Sequence, residues 1–160
     1  MKELKIETTL QVYEDLDEVP NEVQQLMNEA INARNNAYSP YSKFNVGAAI
    51  LLDNGETVSG SNQENASYPS GLCAERTAIY YAGAKYPKAK MLKMALTASS
   101  QNQVTSKPIP PCGACRQAIA EYEVKQNLPI EIYFMGAEGK VVKSNSLANL
   151  LPLIFESSVL

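Results

Sequence analysis

Cys73-Ala74-Glu75 and Pro111-Cys112-Gly113-Ala114-Cys115 hold all three cysteines of this chain, in two segments far apart in sequence. Cys112 and Cys115 have the spacing of one helical turn, so both sulfurs reach the same side and can grip one ion. A closed structural zinc site takes four protein ligands, usually cysteine and histidine, and the 160 residues include no histidine. Three thiolates leave the fourth place of a tetrahedral ion to water, and the Glu75 carboxylate stands near enough to handle that water's protons. That is the layout of a hydrolytic centre with one Zn2+ per chain. Three thiolates on a divalent cation sum to a charge of about −1, which weakens the metal as a Lewis acid. Arg76, one turn after Cys73, is suited to offset this by donating hydrogen bonds to the sulfurs.

Other readings of the same cysteines carry less of the pattern. Cys112-Gly113-Ala114-Cys115 at a helix start resembles a thioredoxin-type redox pair, but that role leaves Cys73 and Glu75 without a part. Three inert buried thiols fit the usual burial of free cysteine and not the tight spacing of two of them. A structural zinc completed by a carboxylate, with no turnover, remains a reading from a different functional class.

The elements that must position these residues follow from the pattern around them. Apolar residues at helical spacing from Asn21 to Ala37 (Val23, Leu26, Met27, Ala30, Ile31) predict a helix that Pro40 forbids from continuing. Val46 to Leu52 reads as a strand, Asp53-Asn54-Gly55 as a tight turn, and Glu56 to Ser61 as the returning hairpin strand. A polar loop, Asn62 to Gly71, precedes a helix over Leu72–Gly83. A strand over Met91–Ala98, a proline-bearing loop and a helix over Cys112–Glu123 follow. Strands over Pro129–Met135 and Lys140–Lys143 lead to a last helix over Leu147–Phe155. Both cysteine segments thus fall at helix starts, where the positive end of the helix favours thiolate over thiol. Residues 1–13 alternate loosely and suggest an edge strand. A hairpin followed by alternating strands and helices implies an α/β fold, a three-layer α/β/α sandwich around a mixed five-stranded sheet. One domain spans 1–160, with 1–20 as an N-terminal extension.

Composition narrows the partners. A net charge of −3 with scattered lysines and arginines speaks against a nucleic-acid polymer. An odd cysteine count and the lack of a leader-like apolar run after Met1 point to a reducing, cytoplasmic setting. No apolar stretch approaches the roughly 20 residues that span a bilayer, so no membrane is expected.

With these motifs in order, the chain resembles the small, homotetrameric, zinc-dependent cytidine deaminases. Cys73-Ala74-Glu75 and Pro111-Cys112-Gly113-Ala114-Cys115-Arg116-Gln117 match the metal signature of zinc deaminases. Tyr41-Ser42-Lys43-Phe44-Asn45-Val46-Gly47-Ala48-Ala49 resembles the family's first helix-to-strand junction, and Asn62-Gln63-Glu64-Asn65-Ala66-Ser67-Tyr68 its ribose loop. The similarity runs from about Tyr38 to Gln117 and fades through Leu150–Phe155. Gln63, usually aliphatic in relatives, and Leu153-Ile154, usually small, depart from the pattern.

The resemblance implies that Cys73, Cys112 and Cys115 ligate zinc and that Glu75 shuttles protons. The implied reaction converts cytidine or 2′-deoxycytidine to the uridine product with release of ammonia, in pyrimidine salvage. Activated water adds at C4 while Glu75 carries its proton to N3, then a second proton to the departing amine. Asn62 and Glu64 would hold the sugar hydroxyls, the Ala74 amide would place the pyrimidine, and Phe44 would wall the pocket. Ala66, Tyr68 and Phe155 would serve a neighbouring subunit's site. Arg76 and, less directly, Gln117 would support the metal. Glu64 and the absence of a lysine or arginine cluster favour a free nucleoside over a nucleotide. A deaminase of another aminopyrimidine nucleoside, such as blasticidin S, is the nearest alternative, and the Asn62-Gln63-Glu64-Asn65 loop argues against it.

Overall fold

The computed structural model describes residues 1–157 and 160. Nine-residue β2, Phe44–Leu52, is the strand around which the domain is built, and its sequence is small and apolar enough to be buried on both faces. It pairs antiparallel with β3, Thr57–Ser61, and with β4, Met91–Ser100. The β2–β3 turn places Gly55 at φ 83°, a conformation that costs glycine little and other residues more. β4 runs parallel to β5, Glu131–Met135, so the connection must cross the sheet, and it carries α3, Gly113–Gln126. β5 returns antiparallel to β6, Val141–Ser144.

A sixth strand, β1, Gln11–Tyr13, pairs antiparallel with β6 and gives the order β1-β6-β5-β4-β2-β3. The sheet therefore has six strands where the sequence analysis expected five. The reason is local: Val142 sits opposite Val12 on a β6 edge that would otherwise be left open.

Two apolar layers sandwich the sheet. α1, Asn21–Arg34, buries Val23, Leu26, Met27 and Ala30 against Ala49, Ala95, Tyr133 and Met135. On the other face α2, Ala74–Lys85, and α3 bury Ala78, Ile79, Ile119 and Ala120 against Ile50, Met94, Ile132 and Phe134. The sheet face alternates as strand geometry requires, Ala49 to one layer and Ile50 to the other. α1 lies so close to β2 that a Cβ on Gly47 would stand 1.9 Å from the Ala30 carbonyl oxygen. Among the described residues no helix is long and apolar enough to cross a membrane.

Two of the boundaries that differ from expectation have a clear local cause. The second helix begins at Ala74 rather than Leu72, because Leu72 exchanges backbone hydrogen bonds of 2.9 Å in both directions with Gln63. The expected last helix over Leu147–Phe155 shrinks to a 3-10 turn at Leu147–Asn149, whose first turn is capped by the Ser146 hydroxyl. Pro152 biases Leu151 away from helical backbone, and Leu153 adopts φ 62°.

Candidate active site

Cys73 and Cys112 are the residues immediately before α2 and α3, both extended (ψ 156° and 167°), while their carbonyls already accept the first helical amides, Thr77 at 3.0 Å and Arg116 at 2.9 Å. Neither side chain caps its own helix, so both sulfurs are free to point elsewhere. They converge. Cys73 Sγ lies 3.8 Å from Cys112 Sγ, Cys112 Sγ lies 3.5 Å from Cys115 Sγ, and all three sulfurs fall within 4.8 Å of one another.

That spacing tests the donor set against a metal. Sulfurs about 2.3 Å from a tetrahedral zinc stand about 3.8 Å apart along an edge. The Cys73–Cys112 separation equals such an edge and the Cys112–Cys115 separation is slightly shorter. Cysteine thiolates are also the ligands zinc prefers in a site without histidine. The residues present fit one zinc ion.

Electrostatics around the sulfurs are uneven. A hydrogen bond from the Cys115 thiol, helped by Arg76 and opposed by burial, lowers Cys73 to about 5. The same bond, with burial and the nearby Glu75 charge, pushes Cys115 far up. Arg76 Nη2 approaches Cys73 Sγ at 3.9 Å, whereas its buried Nε finds no hydrogen-bond partner among the described residues. Glu75 is only 5% exposed, and burial, with the Cys73 charge behind it, raises its carboxyl to about 7. A carboxyl held near neutrality can both take and return a proton.

Beside Cys73 opens a cleft of about 430 Å³, within the size range of small-molecule sites. Its walls include Tyr41, Asn62, Glu64, Tyr68, Cys73 and Arg76. Asn62, the residue after β3, is buried and bonds twice along β2: its Nδ2 donates to the Phe44 carbonyl at 2.9 Å, and its Oδ1 accepts from the Val46 amide at 2.8 Å. Glu64 Oε2 accepts from the amides of Tyr41 (2.9 Å) and Ser42 (3.2 Å), which fixes the carboxylate at the cleft wall; the Ser42 side chain first, then these amides, hold it below the usual carboxylate range. Tyr68 is exposed and leans on Tyr41, ring centroids 5.9 Å apart.

The other residues singled out from the sequence lie off the cleft walls of the single chain. Phe44 is half-buried at the start of β2, Ala66 is exposed and Ala74 is buried in the core. Phe155 is 63% exposed, and Gln117 Nε2 donates to its carbonyl at 2.8 Å, so Gln117 holds the tail and not a sulfur. Sequence reasoning passed over two positioning groups. One is the pair of amides of Tyr41 and Ser42 that seat Glu64. The other is Arg116, whose Nε donates to the Pro111 carbonyl at 2.8 Å and whose Nη1 donates to the Leu150 carbonyl at 2.6 Å. Arg116 follows Cys115 directly, and that adjacency is the one signal the sequence offered.

Comparison with known proteins places this geometry. A family model described as the cytidine and deoxycytidylate deaminase zinc-binding region matches residues 20–129. The chain is similar to the cytidine deaminase of Halalkalibacterium halodurans, 48% identical over 98 residues, 61% of this chain and 70% of that one. It is similar to the cytidine deaminase of Sporosarcina psychrophila, 39% identical over 137 residues, 84% of this chain and 91% of that one. Among solved structures, the cytidine deaminase of Burkholderia pseudomallei superposes with a TM-score of 0.71 at 35% identity, covering 86% of this chain and all of the other.

Proposed function

The chain belongs to the cytidine and deoxycytidylate deaminase family, and from that premise we propose that it hydrolyses cytidine and 2′-deoxycytidine to uridine and 2′-deoxyuridine with release of ammonia. One observation carries the reading: three sulfurs from two helix starts, spaced as a tetrahedral edge, beside a buried carboxyl. When bound, zinc supplies the Lewis acidity that makes water nucleophilic near neutral pH.

The protein's own groups do the rest. Cys73, Cys112 and Cys115 hold the metal, and Arg76 draws charge from Cys73. Glu75 takes a proton from the attacking water and delivers it to N3 of the pyrimidine, then takes the remaining proton from the hydroxyl now on C4 and passes it to the amine, which leaves as ammonia while the C4 carbonyl forms. Asn62 and Glu64 meet the sugar hydroxyls, Asn62 as donor and Glu64 as acceptor, at the wall where Glu64 is pinned by two amides. The amide of Ala74 places the base and Phe44 backs the pocket. Ala66, Tyr68 and Phe155, with their exposed positions in one chain, suit contact with a second subunit's pocket in a homotetramer. Gln117 seats Phe155 for that contact. A cytoplasmic enzyme of pyrimidine salvage is the setting this reading implies.

A carboxylate at the sugar end disfavours a phosphate through like-charge repulsion, so a nucleoside is the expected substrate. The test is an ultraviolet assay with cytidine, deoxycytidine and cytidine monophosphate side by side. Turnover of both nucleosides and little of the monophosphate is expected; equal rates with the monophosphate would overturn the nucleoside assignment. Blasticidin S in the same assay tests the nearest alternative, and zinc-loaded protein with no turnover of any of them would leave a structural zinc module.

A further inference from the structure

Residues 1–10 stand apart from everything described so far. They precede the matched family region, and the Burkholderia pseudomallei structure is covered in full by 86% of this chain. None of them lines the cleft. Yet they lead into β1, which forms one margin of the sheet: β1 pairs with β6 on one side only. A strand margin with free amides and carbonyls is a template for another strand.

The side chains of this segment are patterned for one. Leu4, Ile6, Leu10 and Val12 recur at every second position apart from Thr8, and all four are exposed, Leu4 by 78% and Val12 by 56%. Val12 lies opposite Val142, which packs on the α2–α3 layer of the core, so the apolar stripe extends that face of the sheet outward without a helix to cover it. The alternate positions Lys5 and Glu7 are oppositely charged and pair with each other while both remain largely in water. Such an exposed pair does little for stability by itself.

We infer that residues 4–8 form an arm that pairs antiparallel with the same segment of a second copy of this chain, extending both sheets across a two-fold axis at Ile6. The charge order selects this occupant and register. About that axis, Lys5 of each copy stands opposite Glu7 of the other, giving two complementary cross-strand pairs on one face, while Ile6 meets Ile6 and Leu4 meets Thr8 on the other. A register slip by one residue would put charge against the apolar stripe. The surface is additional to any contact made by the family domain, and it does not depend on the metal-site reading.

The register dictates a decisive mixing experiment on the full-length, zinc-loaded protein. Lys5→Glu places two carboxylates opposite two carboxylates, and Glu7→Lys places two ammonium groups opposite two. Each variant alone is expected to show arm-mediated association about tenfold weaker than wild type in sedimentation velocity. A 1:1 mixture of the two variants restores the pairing, since every Glu then faces a Lys, and should recover wild-type association. Cytidine turnover should be unchanged throughout, because the arm lies away from the cleft. A mixture that stays as weak as its components, or single variants that associate like wild type, would overturn the two-fold register and its occupant. Ile6→Asn, which leaves the charges intact, should weaken association as well; indifference to it would equally refute burial of the stripe.

Discussion

Arg116→Met removes one guanidinium, keeps the aliphatic stem, and asks whether the metal loop is held in place from behind. Arg116 donates at 2.8 Å to the carbonyl of Pro111, the residue before Cys112, and at 2.6 Å to the carbonyl of Leu150, at the start of the tail that bears Phe155. A hydrogen bond from a charged donor contributes about 1.5–3 kcal/mol, and the half-buried setting argues for the lower figure at each. Two bonds then amount to about 3 kcal/mol. In a chain of this length that is a fall in Tm of about 6–12 °C. Groups that orient metal ligands typically change metal affinity by about 10–100-fold, and Cys112 is the ligand whose backbone Arg116 steadies. Thermal melts of the zinc-loaded protein read the first effect, and competition with a chromophoric chelator reads the second. Arg116→Lys, which reaches one carbonyl at a time, should recover part of both. Wild-type Tm together with wild-type zinc affinity in Arg116→Met would refute the reasoning. A lowered Tm with unchanged affinity would confine Arg116 to docking the tail.

Glu75→Gln should retain one zinc per chain and lose about 10²–10⁴ in kcat, the usual contribution of a positioned acid–base group; full turnover in a steady-state assay would end the proton-shuttle assignment. Cys112→Ala should lose most of its zinc by elemental analysis, because only two sulfurs of the cluster remain. Gly47→Ala should cost about 3 kcal/mol in urea unfolding, since its methyl group would strike the backbone of α1 at Ala30 and Arg34. Glu131 supplies a pH test: burial acts to raise its pKa, but Lys143 at 2.5 Å and the Tyr133 hydroxyl at 3.0 Å outweigh this and hold it below its ordinary value. The unfolded chain therefore binds the proton more readily, so this contribution is present above the unfolded pKa and fades as pH falls through the folded one. Lys143→Met should accordingly be less stable than wild type at pH 7, with the gap closing as pH falls below the ordinary carboxylate range.

The metal centre was legible because its information is local: thiols at fixed spacing, each after a loop and before an apolar helix. The β2–β3 hairpin was legible for the same reason, Asn54-Gly55 being a turn by residue type alone. What escaped depends on distant partners. Leu72 carries a helical pattern, but its bridge to Gln63 withholds it from α2. Leu147–Phe155 has the apolar content of a helix, and Pro152 with the positive φ of Leu153 unwinds it. β1 was readable as a candidate edge strand, but its acceptance into the sheet depended on β6 having a free side. Arg116 and Gln117 close the signature, yet Arg116 reaches the Leu150 carbonyl and Gln117 the Phe155 carbonyl, partners on the tail that no spacing rule connects.

Asn62 imitates a peptide group: its side-chain amide plugs into the open rung between Phe44 and Val46 as another strand would. Under the proposed function, recognition of the sugar and closure of the sheet's end would share one side chain. Asn62→Asp, though nearly isosteric, would turn a donor into a second acceptor facing the Phe44 carbonyl and loosen the strand that frames the cleft. Selectivity at this wall is consequently easier to retune through Glu64, whose anchors are loop amides, than through a residue the architecture already employs as a bolt.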